Sequence, residues 1–185
     1  GEKGVDINSH VEDDWGPSSS IRSMSPLGIG PVLKDRTAVN VGLVACMSYL
    51  DDKGFGPSLV HRNGVTRARM FQEVTIAQQT DCSDDASLAA ALDQLEATLN
   101  SPLGNMKGDY CVGQHTLADC AWAGVCQVAT NMGKGTAVSS RSAVNTWFAA
   151  VQSHPSTSKE AINPFSCLAT KADHDGNTMR DVRIN

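Results

Sequence analysis

Tyr110-Cys111-Val112-Gly113-Gln114-His115-Thr116-Leu117-Ala118-Asp119, running on into Cys120-Ala121-Trp122-Ala123-Gly124-Val125-Cys126, is the stretch whose reading decides the fold. Thr116 and Asp119 stand three residues apart, directly ahead of an apolar run, which is the spacing of a capping box. In that arrangement the Thr116 hydroxyl accepts from the amide three residues on, and the Asp119 carboxylate reaches back to the amide of Thr116. A carboxylate in the first turn also meets the positive end of the helix dipole. The residues that follow are small and apolar, so a helix from about 116 to 132 is predicted to be buried on every side. Val112 and Cys120 flank the cap as a hydrophobic staple. Asp119 therefore reads as a folding device and not as a catalytic acid.

On either side of this helix the periodicity predicts more helices. Residues 64 to 80 form one, and 83 to 100 another, with Ser83 as its N-cap and Asp84-Asp85 in its first turn. Leu88, Leu92, Leu95 and Leu99 repeat at helical spacing as a core stripe. Gly133-Lys134-Gly135 breaks the central helix, and Val144, Trp147, Phe148 and Val151 mark a last amphipathic helix ending near His154-Pro155. Nearer the start, Val5-Asp6-Ile7-Asn8 alternates like a strand, and Asp13 through Ser25 reads as a loop with at most a short helical turn. Val32-Leu33 starts a strand, Asp35-Arg36 turns, and Thr37-Ala38-Val39 returns as a hairpin. Residues 43 to 52 form a buried helix closed by Lys53-Gly54, a charged last turn and a C′ glycine. Gly54-Phe55-Gly56-Pro57 is turn-rich, as a linker is. The chain thus divides into a strand-and-helix lobe (1–53), a linker (54–57), an all-helical lobe (58–162) and a polar tail (163–185).

The 185 residues are 41% hydrophobic and 19% charged, with a net charge of -5, which are globular values. An acidic chain without a Lys/Arg-rich run lacks the footprint of a nucleic-acid or anionic-membrane binder. The longest apolar stretch, after Asp119, is too short and too polar to cross a bilayer, and Gly1-Glu2-Lys3-Gly4 is polar where a leader would be apolar. Six cysteines (46, 82, 111, 120, 126 and 167) show no Cys-x-x-Cys and no zinc spacing, so they are expected to be reduced, structural thiols in a cytoplasmic setting. The five histidines are scattered, with surface or capping roles expected for His115 and His154. Asp173-His174-Asp175-Gly176-Asn177 begins like a calcium loop, but its glycine is misplaced and no Glu closes it. No metal site is expected. Arg67, Arg69 and Glu73 read as surface pairs on one helix face, and Met70 and Phe71 as core or domain-interface residues.

Several of these motifs, in this order, resemble the cytosolic glutathione transferases. That family carries Tyr-Leu-Val-Gly-x-x-x-Thr-Leu-Ala-Asp where this chain has residues 110–119. It reads Asn-Pro-x-Gly-x-Val-Pro-x-Leu where this chain has Ser25-Pro26-Leu27-Gly28-Ile29-Gly30-Pro31-Val32-Leu33, and Ala-Ile-x-x-Tyr-Leu where this chain has Val44-Ala45 ahead of Tyr49-Leu50. It closes with Trp-x-x-x-(Val/Met)-x-x-x-Pro, met by Trp147, Val151 and Pro155. The resemblance covers roughly residues 1 to 162. The Tyr110-Cys111-Val112-Gly113 and Gln127-Val128-Ala129 runs look most like the zeta class, the maleylacetoacetate isomerases. It implies an α/β thioredoxin-like N-terminal lobe, here lacking its first strand and most of its first helix, and an all-α C-terminal lobe.

The resemblance also implies a site. In the family the proline matching Pro31 is cis, and the residue before it, Gly30 here, offers backbone amide and carbonyl to the cysteinyl part of glutathione. The same proline shapes the lobe in non-catalytic relatives. The family's acidic-or-Gln and Ser pair at the start of the next helix, which meets the γ-glutamyl carboxylate, falls on Gly42-Leu43. Neither supplies a side-chain hydrogen bond, the sharpest departure in the chain, and Asn40 lies two residues early. The family's activating Tyr, Ser or Cys falls ahead of Gly1, so no catalytic residue is assigned. Two functions follow as expectations. One is a transferase that conjugates glutathione to small hydrophobic electrophiles or isomerises them with it, in a pocket between the lobes walled by the 64–80 and central helices. The other is a non-catalytic module that docks a protein partner or a second copy, as in a translation elongation factor gamma subunit or tRNA synthetase appendages.

Overall fold

After Pro31 the chain folds back on itself as the hairpin that its residues predict. The structure, a computed structural model, describes residues 8–9, 20–25, 30–54, 57–100, 108–154 and 182–183. By its contacts the chain divides into two units, Gly1–Gly56 with Pro164–Asn185 and Pro57–Asn163.

In the first unit, β1 (Asn8–Ser9) and α1 (Ser20–Met24) precede the hairpin of β2 (Val32–Asp35) and β3 (Ala38–Val41). The hairpin pairs Val32 with Val41 and Asp35 with Ala38. Its turn is Arg36-Thr37, one residue later than expected, with Arg36 at a left-handed φ of 53°. Asp35 stays in the ladder, and its carboxylate accepts from the Tyr49 phenol at 2.7 Å and pairs with Lys53 at 3.1 Å. Tyr49 and Lys53 are one turn apart on α2 (Leu43–Lys53), so this cluster ties hairpin to helix. Gly54 does close α2 through its amide, but at φ -79°, so the stop makes no use of a left-handed glycine. Within the stretch read as a polar tail, β4 (Val182–Arg183) pairs antiparallel with Asn8–Ser9.

Between Pro57 and His154 every described regular element is helical. Asn63 caps α3 (Gly64–Gln79), its side chain accepting from the Val65 and Thr66 amides. The cap of α4 (Asp85–Asn100) is Asp84, which accepts from the Ala86 and Ser87 amides, and not Ser83. Ser83 instead donates its amide and hydroxyl to Asp81 (2.8 and 2.6 Å), a shorter loop that moves the helix start on by a residue. Leu88, Leu92 and Leu95 are fully buried, whereas Leu99 is half-buried because Thr98 turns inward in its place. Central helix α5 (Leu117–Ala129) passes into a π-helical turn, Thr130–Lys134, before α6 (Gly135–Ser139). Gly133, at φ 79°, supplies the left-handed residue that this break needs. The Lys134 ammonium then bonds the Cys82 and Ser83 carbonyls and pairs with Asp85.

Helix α7 (Ser142–Ser153) has no side-chain cap of its own. Glu96 on α4 caps it from outside, its carboxylate accepting from the Ala143 and Val144 amides at 3.2 and 2.8 Å. The core is built from Met70, Val74, Leu92, Trp122, Cys126, Val144, Trp147 and Val151.

Two buried carboxylates organise this core. The capping box of Thr116 and Asp119 is formed, and Asp119 reaches further than the sequence implied. It accepts from the amides of Cys111 and Thr116 (both 2.9 Å), from the Thr116 hydroxyl (3.1 Å) and from the Trp147 indole (2.8 Å). One side chain thereby joins the entry loop, α5 and α7. Glu73 corrects the surface-pair reading: it is wholly buried. It accepts from the Trp122 indole at 3.1 Å and the Thr98 hydroxyl at 3.3 Å, and pairs with Arg69 at 2.9 Å. The i,i+4 pair with Arg69 does form, but on the face that α5 covers. Met70 beside it is core, as expected.

Candidate functional site

The start of α2 and the loop before β2 meet in the first unit, and this is where the four candidate residues lie. Gly30-Pro31 is a cis peptide. Pro31 is exposed and Gly30 half-buried. The Gly42 amide donates to the Pro31 carbonyl at 2.8 Å, which brings the loop and the helix start together. Gly42 is the N-cap of α2 at φ 86° and ψ 154°, a conformation open essentially to glycine alone. A β-carbon there would be strained, so the family's acidic or amide side chain has no place on this backbone.

The consequence for the helix end is direct. No side chain caps α2, and its first turn holds no acid. Cys46 is the first residue of the helix whose amide bonds back, to the Gly42 carbonyl at 3.0 Å. The amides ahead of it carry the helix's partial positive charge without a side-chain acceptor. Such an end receives a carboxylate or phosphate. Asn40, two residues ahead on β3, has a buried side-chain amide nitrogen with no hydrogen-bond partner. Leu43 is half-buried and contributes only apolar surface.

Behind the loop sits Cys46, 5% exposed. Its thiol lies 3.5 Å from the Pro31 carbonyl and 3.4 Å from the Asn40 carbonyl. Burial pushes this thiol's pKa up, against a smaller opposing effect of the Leu33 backbone, so it stays a protonated donor at neutral pH. Nothing in the sequence marks this role, because a cysteine in an apolar helical run looks like any small hydrophobe.

Of the other cysteines, Cys111 and Cys126 are unsuited to act as nucleophiles. All five among the described residues are free thiols; Cys167 lies outside them. Burial raises Cys126 to about 12 and lifts Cys111 well above the ordinary range, with Asp119 and Glu73 adding to the effect on Cys111. A thiol that resists ionisation is a poor nucleophile. His115 and His154, far apart in sequence, stack at 4.3 Å with the edge of Tyr110 against both. Among the described residues no cluster of three metal-binding side chains occurs, and no helix is long and apolar enough to cross a membrane. The Asp173 loop lies outside the described residues.

By sequence, the chain matches no protein-family model and no curated protein. By structure it is similar to several solved proteins. A maleylacetoacetate isomerase from Methylobacterium extorquens AM1, solved with malonate and glutathione bound, superposes at a TM-score of 0.62 over 75% of each chain, with 16% identity. Maleyl pyruvate isomerase, a bacterial glutathione transferase of the zeta class, gives 0.60 over 75% of this chain and 76% of its own, also at 16% identity. A diazinon-metabolizing glutathione S-transferase of the silkworm Bombyx mori gives 0.60 over 75% and 73%, at 18% identity. With a thioredoxin-like strand-and-helix unit and an all-helical unit built on the Thr116–Asp119 box, the chain has the fold of the glutathione transferases.

Proposed function

We propose that this chain is a glutathione S-transferase-like protein that binds glutathione in its first unit and uses it on small electrophiles, by conjugation or by glutathione-dependent isomerisation. The observation that carries the reading is the 2.8 Å bond from the Gly42 amide to the Pro31 carbonyl. It joins the two backbone segments that a γ-glutamyl peptide would need. The Gly30 backbone would meet the cysteinyl unit, and the uncapped start of α2, at Gly42-Leu43, would hold the γ-glutamyl carboxylate. The unpartnered Asn40 amide nitrogen fits the same anionic group, standing in for the hydroxyl that Leu43 lacks. These residues bind and orient. When bound, glutathione supplies a sulfur nucleophile.

Isothermal titration of the full chain with glutathione at millimolar concentration tests the reading. A saturable heat is expected, weaker in Leu43→Pro, whose ring adds no donor and removes one of the helix-start amides. No heat from the unaltered chain at millimolar ligand overturns it.

A further inference from the structure

We infer that Cys46 is a positioning residue for the Gly30-Pro31 loop, fixing from behind the backbone that faces the peptide. The inference rests on the glutathione-binding reading for its ligand readout, and on the structure alone for its loop readout. Two donors converge on the Pro31 carbonyl, the Gly42 amide at 2.8 Å and the Cys46 thiol at 3.5 Å. The single proton of the same thiol is shared with the carbonyl of Asn40 on β3, 3.4 Å from the sulfur. One sulfur on the first turn of α2 thus spans the loop and the far strand of the hairpin. Pro31 donates no backbone hydrogen bond, which leaves that carbonyl as the loop's main-chain attachment at this residue. The thiol is buried and stays protonated at neutral pH, as a donor requires.

The test compares Cys46→Ser, which keeps a donor of similar size, with Cys46→Ala and Cys46→Val, which do not. Amide NMR spectra of the full chain give the loop readout. In the Ala and Val variants the Gly30 and Gly42 amide signals are expected to shift and the Gly42 amide to exchange faster, while Ser restores both. Glutathione titration gives the ligand readout, with affinity about three- to tenfold weaker in Ala and Val, the worth of one net hydrogen bond, and within about twofold of the parent in Ser. A merely structural cysteine would show Ser no better than Ala, since Ser introduces a polar group into the same cavity. Unchanged Gly30 and Gly42 signals in Ala and Val overturn the inference. If the unaltered chain binds no glutathione, the binding reading falls, and the amide signals still decide the role of Cys46.

Discussion

Replacing Asp119 by Asn should cost this protein about 2–3 kcal/mol, most of it from a single stranded amide. The carboxylate is 0% exposed and accepts from four donors. With its carbonyl placed at Oδ1, Asn keeps the Cys111 amide at 2.9 Å and the Trp147 indole at 2.8 Å. At Oδ2 an NH2 group would then face the Thr116 amide at 2.9 Å and the Thr116 hydroxyl at 3.1 Å. The hydroxyl can rotate and accept, but the amide cannot. One buried donor is left against another, and the remaining bonds lose their ionic character. Asp119→Ala removes all four acceptor contacts and should cost about 4–5 kcal/mol, near the whole stability of a marginal domain. Equilibrium urea unfolding followed by circular dichroism and tryptophan fluorescence measures both. At a slope typical of small domains, the Asn variant should lose roughly 1–2 M of midpoint. An Asn variant within about 0.5 kcal/mol of the parent at unchanged slope would refute the assignment of Asp119 as the main hydrogen-bonding centre of the helical unit.

Other consequences follow from the same structure. Glu73→Leu leaves Arg69 and the Trp122 indole without their buried partner and should cost about 3 kcal/mol, while adding Arg69→Met should recover part of it; a single-variant loss below about 1 kcal/mol in urea unfolding would contradict this. Gly42→Ala forces an alanine into φ 86°, ψ 154° and should lower stability by about 1–3 kcal/mol. Gly64→Ala, where an added β-carbon meets nothing within 4 Å, is the control and should be neutral or slightly stabilising when both variants are compared with the parent in thermal melts. Burial pushes the Glu96 carboxyl up, but the Val144 and Ala143 amides, with Asn100 and Arg141, outweigh it and leave it below its ordinary value. Its stabilisation of α7 is therefore full above the unfolded carboxyl's pKa of about 4.3 and is lost as pH falls through the depressed folded value. Melting temperatures of the parent and Glu96→Gln should accordingly converge as pH drops from 7 to 3, and a gap independent of pH would exclude the cap.

The helix starts show where local sequence suffices and where it fails. Thr116 and Asp119 form a box from residues three apart, so the cap of α5 is legible from spacing alone. The bodies of α2 and α7, though not their starts, are legible from their apolar runs, as is the hairpin after Pro31 up to one residue of turn. Ser83 and Asp84 are both good caps by composition, and the choice between them fell to Asp81, which took the serine's amide and hydroxyl. For α7 no local reading could find the cap, because Glu96 comes from another helix.

The site divides in the same way. Counting back from Tyr49-Leu50 finds Gly42-Leu43, and the proline motif finds Gly30-Pro31, but nothing in either segment reveals that the Gly42 amide bonds the Pro31 carbonyl or that Cys46 lies behind it. Sequence by itself determined most of the elements, though not α6 or β4, since periodicity, caps and turn residues act over a few positions along the chain. Burial of Glu73, 49 residues from the indole it binds, and the reach of Asp119 to Trp147 were decided only by tertiary packing. A carboxylate's hydrogen-bond partners depend on which helices close over it, and that is a property of the assembled core.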